Sequence, residues 1–197
     1  ESIGDLSSLT SLNLTNNLLT TLPESIGNIC SLEKLYLQYN QLTSIPESIG
    51  NLSSLKGLYL RDNQLTTLPE SIGNLTYLYN LNLHSNQLTT LPNNIGELDD
   101  LFYLILDNNK LTNLPISIGS LNSLCEFTIT NNLLTSIPES ICNTNIGGEG
   151  GGCYVGDVGN VTHFDFSNNQ LCEEYRFDCF PLDEGYNFIW EPQECGE

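Results

Sequence analysis

His163, Asp165 and Ser167 stand at alternate positions in the string THFDFSNNQ. They supply the residue types of a nucleophilic relay. On an extended strand, however, alternate side chains are roughly 6.6 Å apart, too far for the hydrogen bonds such a relay needs. His84 has Arg61 and Asp107 at the equivalent place 23 residues to either side; this reads as a row of charge and offers no nucleophile. GGEGGGC, Gly147 to Cys153, lacks both the GK[ST] ending and the following helix pattern of a phosphate loop. It reads as an excursion of the chain across about residues 144–158. No CxxC pair is present, so zinc is not expected, and nothing implies another metal or a cofactor. The chain reads as a non-enzyme.

The elements that would position these residues are set by a repeat. Leu9, Leu32, Leu55, Leu78, Leu101 and Leu124 recur every 23 residues, each opening the same phrase. The first copy runs Leu9, Leu12, Leu14, Asn17, Leu19, Leu22, Pro23. A seventh, Val161, Phe164, Phe166, Asn169, Leu171, arrives 14 residues late. Self-similarity at such a period marks a solenoid. Strings such as LYLQYN and LNLHSN alternate apolar and polar residues, as a strand with one buried face does. The Asn that follows can use its amide to satisfy backbone groups freed where the strand turns away. LP and ESIG then return the chain over the convex side, where Pro fixes φ and Gly is expected to permit a sharp return. The phrase LxxLxLxxNxLxxLPxxIxxL resembles the 23-residue version of the leucine-rich-repeat family, over about residues 1–171. The resemblance implies an α/β-type, right-handed, curved solenoid. Its concave side would be a parallel sheet and its convex side loops and 3-10 turns, with a cap at 172–197.

Cysteine use is uneven. Cys30 stands alone early, while Cys125, Cys142, Cys153, Cys172, Cys179 and Cys195 crowd the last third. Crowding at a solenoid's end, where core cover is thin, reads as a disulfide-braced cap formed in an oxidising compartment. The alternative is a set of reduced thiols in a cytoplasmic protein. The tail does not match the usual extracellular cap of the family, so no pairing carries over. The expected bonds join Cys142 to Cys153, and two of Cys172, Cys179 and Cys195 to each other. Cys30 lies four or more repeats from Cys125, each about 4.8 Å, beyond the ~7 Å Cα limit of a disulfide. It should be a half-buried free thiol, or be joined to an upstream segment or a second molecule. ESIGDL at the start reads as the tail of a repeat, which implies that upstream chain or a partner, such as a further copy, covers the first strand. Candidate N-glycosylation sequons begin at Asn13, Asn51, Asn74 and Asn160. The chain is so rich in Asn, Ser and Thr that chance supplies this number.

Only non-repeated residues can encode specificity. The outward strand positions collect Lys34, Tyr36, Tyr59 and Arg61, with Asn82, His84, Tyr103 and Asp107 beside them. Tyr and Arg are frequent interface anchors, so this face reads as a binding patch for a protein, peptide or glycan. The plainer reading is a solvated sheet face whose aromatic residues merely favour strands. Thr20, Thr43, Thr66, Thr89, Thr112 and Thr135 form a further column, of a kind that ice-binding solenoids display, although LTxLP is also ordinary phrasing in the family this chain resembles, where Thr helps turn the chain. Charge narrows the partners: 24 acidic against five basic residues give −19 at pH 7, unsuited to nucleic acid or an anionic membrane. No apolar run of 18 residues offers a membrane span. The expectation is an extracellular or cell-surface recognition domain. A structural element of a matrix, wall or filament, assembled through repeat ends and convex ridge, is the alternative, and an intracellular signalling scaffold the third.

Overall fold

The computed structural model describes residues 2–143, 162–171 and 186–189. The alternating phrase forms eight short strands: β1 (Ser11–Asn13), β2 (Lys34–Tyr36), β3 (Gly57–Tyr59), β4 (Asn80–Asn82), β5 (Tyr103–Ile105), β6 (Glu126–Thr128), β7 (Thr162–Asp165) and β8 (Tyr186–Ile189). They pair in parallel in chain order, as one sheet. Registers follow the repeat: Leu12, Leu35, Leu58, Leu81, Leu104, Phe127 and Phe164 lie side by side. From Leu35 to Phe164 these side chains are at most 2% exposed, as is the second row from Leu37 to Phe166. The sheet continues past Leu171, because β8 pairs with β7 inside the segment assigned to the cap.

Each strand ends in an Asn that ties two repeats together. The Asn63 amide donates to Leu37 O (2.9 Å) and Leu60 O (3.0 Å), while its oxygen accepts from Leu42 N (3.0 Å). Asn40, Asn86, Asn109, Asn132 and Asn169 do the same. Asn17 has no earlier repeat to reach in the described chain; it stays exposed and bonds only to Leu14 O and Thr15 O. The late seventh repeat keeps the geometry: Asn169 bonds to Ile129 O (3.0 Å), as if the inserted residues were absent.

On the convex side, Pro23, Pro46, Pro69, Pro92 and Pro115 each precede a five-residue 3-10 helix, the first being Glu24–Asn28. The expected role of glycine is corrected here. Positive φ occurs instead at the residue before each Asn, Tyr39 and Asp62 among them, at 53–57°. Gly27, Gly50, Gly73, Gly96 and Gly119 are buried because neighbouring 3-10 helices stack too closely for a side chain. A Cβ on Gly96 would lie 2.1 Å from Ser117 O, far inside van der Waals contact.

One cysteine expectation changes. Cys125, absent from the expected pairs, is disulfide-bonded, as is Cys142. Cys125 is 5% exposed, at the edge of the core. Cys142 occupies the place in its repeat that glycine holds in the earlier ones. Cys153, Cys172, Cys179 and Cys195, and with them the brace expected of residues 172–197, lie outside the described residues. So do the Gly-rich stretch and Asn160.

Candidate functional site

The parallel register carries the outward residues into two ladders. One runs Lys34, Gly57, Asn80, Tyr103; the other Tyr36, Tyr59, Asn82, Ile105. Strands at sheet spacing suit ring stacking, and Tyr36 and Tyr59 stack at 4.8 Å with 5° between planes. Burial, then the neighbouring Tyr36, pushes the Tyr59 phenol above its usual 10.0. The row beyond the strands is not a continuous line of charge as the spacing implied. Arg61 turns away to Asp62 (2.7 Å) and lies 5.7 Å from the centre of the Tyr39 ring. Asp107 instead accepts from Thr128 Oγ1 (2.7 Å), Thr130 N (2.7 Å) and Thr130 Oγ1 (2.8 Å). Three donors hold that carboxylate, and His84 Nδ1 approaches it at 3.8 Å. The backbone N–H of His84 donates to Asn82 Oδ1 (3.1 Å).

Reading only outward strand positions misses a second group of rings. Tyr79 and Phe102 lie just before β4 and β5 and stack at 4.9 Å, 18° apart; Tyr103 meets Tyr79 edge-on at 5.4 Å. With Gly57, Tyr59 and Tyr77 they border a pocket of 740 Å³ at the start of the strands. Burial chiefly, and Tyr103 beside it, raises the Tyr79 phenol above 10.0. The signal was present in the sequence. Residues following the repeat's opening Leu read Thr10, Glu33, Lys56, Tyr79, Phe102, Cys125, so two aromatic residues occupy neighbouring rungs.

Other predicted residues fall as follows. Asn51 and Asn74 end successive 3-10 helices and are exposed; Asn13 lies exposed on β1, its Oδ1 accepting from Thr15 N (2.9 Å). The six column threonines are all exposed. Cys30 is a free thiol and is exposed, where the expectation was half-burial. Asp165 Oδ1 accepts from the Ser167 backbone N–H (2.9 Å). Among the described residues no His, Cys, Asp and Glu group could hold a metal ion, and no helix is long and apolar enough to cross a membrane.

The "leucine-rich repeat region" family model matches residues 47–143, and the "leucine rich repeat" model residues 1–42. A search of curated proteins returned no significant match. Among solved structures, a Leptospira interrogans leucine-rich-repeat protein is 33% identical with a TM-score of 0.77, over 98% of this chain and 51% of its own. The ectodomain of the Arabidopsis thaliana receptor kinase GASSHO1/SCHENGEN3, in complex with CASPARIAN STRIP INTEGRITY FACTOR 2, is 32% identical with a TM-score of 0.73. It matches over 98% of this chain and 23% of its own. A plant peptide hormone receptor, RGFR1 in complex with RGF2, is 31% identical with a TM-score of 0.72, over 86% and 26%. The chain thus spans about half the length of the first of these, and about a quarter of the receptors.

Proposed function

Because the chain belongs to the leucine-rich-repeat family, we propose that it is a recognition domain that binds a protein or peptide through the concave face of β2 to β5. One observation carries this reading: the core positions are nearly invariant from repeat to repeat, while the outward ones differ and bring a stacked tyrosine pair onto the same face as Arg61, His84 and Asp107. Rigid aromatic rings lose little conformational freedom on binding and are common anchors. The receptor relatives solved in complex with RGF2 and with CASPARIAN STRIP INTEGRITY FACTOR 2 support a peptide or protein ligand. A glycan is the less favoured ligand of the same face. The receptor ectodomains and the two oxidised cysteines support an extracellular or cell-surface setting, in which residues 1–171 form the recognition solenoid and 172–197 close its end. Asn13, Asn51 and Asn74 would then be open to glycosylation; a glycan on Asn13 would obstruct the first rung of the concave face.

The test is affinity capture from cell-surface fractions with the native chain and with a variant carrying Tyr36→Ala, Tyr59→Ala and Arg61→Ala. A specific partner should be lost by the variant while its thermal midpoint stays within a few degrees. Undiminished capture by a folded variant would sink the concave-face reading. Self-assembly that persists in the variant, with no captured partner, would favour a structural element of a matrix or wall.

A further inference from the structure

We propose that the pocket at the start of β3 to β5 is a second docking site, which takes a proline-bearing peptide segment with an adjacent carboxylate. It rests on the reading that the chain binds protein, and it adds a site at the strand starts that shares Lys34, Tyr59 and Tyr103 with the concave ladders.

Gly57 makes the pocket. Its neighbours in the ladder are Lys34, Asn80 and Tyr103; Gly57 alone presents no side chain. A Cβ there would lie 2.8 Å from Tyr59 Cε2 and 3.0 Å from its hydroxyl, so the Tyr59 ring lies across the glycine. This leaves a notch between Tyr59 and the stacked Tyr79–Phe102 pair, with Tyr77 (62% exposed) at the rim. The φ of Gly57 is not in the left-handed region; missing bulk is what matters.

The lining chemistry selects the occupant. Flat rings already held by stacking suit the pyrrolidine faces of a polyproline segment, whose own conformation is preformed. A sugar is the competing occupant, because Asn80, Asp100 and the phenols of Tyr59, Tyr77, Tyr79 and Tyr103 also line the pocket; the open ammonium of Lys34 favours the peptide. Ser123 Oγ is committed to Asp99 O (2.7 Å). Asn80 Oδ1 is buried without a hydrogen-bond partner. Charge gives the second element. Lys56 is 3.0 Å from Glu33, whereas Lys34 at the rim is exposed and makes no ion pair among the described residues. On a chain of net charge −19, an open ammonium beside a ring-lined notch favours one carboxylate on the occupant. A polyanion would be repelled by the rest of the surface.

The test titrates the full chain calorimetrically with synthetic peptides containing Pro-Pro-Asp, Pro-Pro-Asn or Ala-Ala-Asp at the centre, and with cellohexaose. Pro-Pro-Asp should bind, and Ala-Ala-Asp about tenfold or more weaker. Tyr79→Ala with Phe102→Ala should cost a similar factor. Lys34→Ala should weaken Pro-Pro-Asp by up to about fivefold and leave Pro-Pro-Asn unchanged. Should the double variant lose its fold, Gly57→Ala, which displaces the Tyr59 ring, replaces it with the same expected loss. Equal binding of Ala-Ala-Asp, tighter binding of cellohexaose, or indifference to both pocket variants overturns the proposal. The concave-face reading fails separately. Arg61→Ala with His84→Ala, outside the pocket, should abolish partner capture yet spare peptide binding. If pocket variants keep full peptide binding while that pair loses the partner, only the pocket is wrong.

Discussion

Leu81 has no exposed surface and lies in register between Leu58 and Leu104, each also fully buried. Neighbours on both sides are fixed by the same ladder, so a void there could collapse little. Leu81→Ala should therefore cost about 2–5 kcal/mol in urea unfolding; a loss under about half a kcal/mol would contradict the register. The tyrosines give a residue-scale pH test. Tyr59 and Tyr79 have phenols raised by burial, helped by Tyr36 and Tyr103 respectively. A raised folded value means that this contribution is complete below the unfolded value of 10.0 and is lost as pH rises through the folded one. Stability should be level up to about pH 10 in this respect and fall above it. The fall should be shallower in Tyr59→Phe with Tyr79→Phe, measured by chemical denaturation at a series of alkaline pH values. An identical slope in that variant would count against burial of these rings.

The 3-10 helices and the strands set the repeat spacing from opposite sides. The strand side is held by backbone pairing and the Asn amides; on the convex side Ser48 N donates to Glu24 Oε2 (3.2 Å) and Ser71 N to Glu47 Oε2 (3.4 Å). Glycine is the residue that lets these helices approach. Gly96→Ala should destabilise by about 1–3 kcal/mol through overpacking, since its methyl would meet Ser117 O at 2.1 Å. Ile116→Ala, on a side chain 78% exposed, should stay within about 0.5 kcal/mol and serves as the control. Thermal and urea melts of the pair decide the matter, and equal midpoints would refute close stacking as the reason for glycine.

Over the whole molecule, 24 acidic residues face five basic ones. The described ion pairs are few: Lys56–Glu33, Arg61–Asp62 and, when the imidazole is protonated, His84–Asp107. Self-repulsion therefore outweighs what salt would screen away from favourable pairs. Raising NaCl from about 0.05 to 0.5 M should stabilise the fold by on the order of 1 kcal/mol, a thermal midpoint about 2–4 °C higher. A midpoint that falls steadily with salt would show that the ion pairs matter more than the net charge.

The repeat made the solenoid legible in the residues alone. A period of 23, two apolar residues facing one side of each strand and a terminal Asn admit one arrangement that buries every Leu and pairs every turn. The concave columns were legible for the same reason, since parallel pairing in register follows from identical repeats. What lay outside that logic was decided by packing in three dimensions. Whether Arg61 crosses to His84 or turns to Asp62 depends on side-chain rotamers and the local turn, which no period encodes. The glycines looked like hinges in sequence and are close-contact points in space, because only the stacked neighbour reveals a carbonyl where a Cβ would sit. The notch at Gly57 needed the same information, although the neighbouring rings Tyr79 and Phe102 were legible as a column. Tyr79 and Phe102 share one column on neighbouring rungs, Tyr59 and Gly57 belong to two others, and only the folded sheet brings the three rings around one missing side chain.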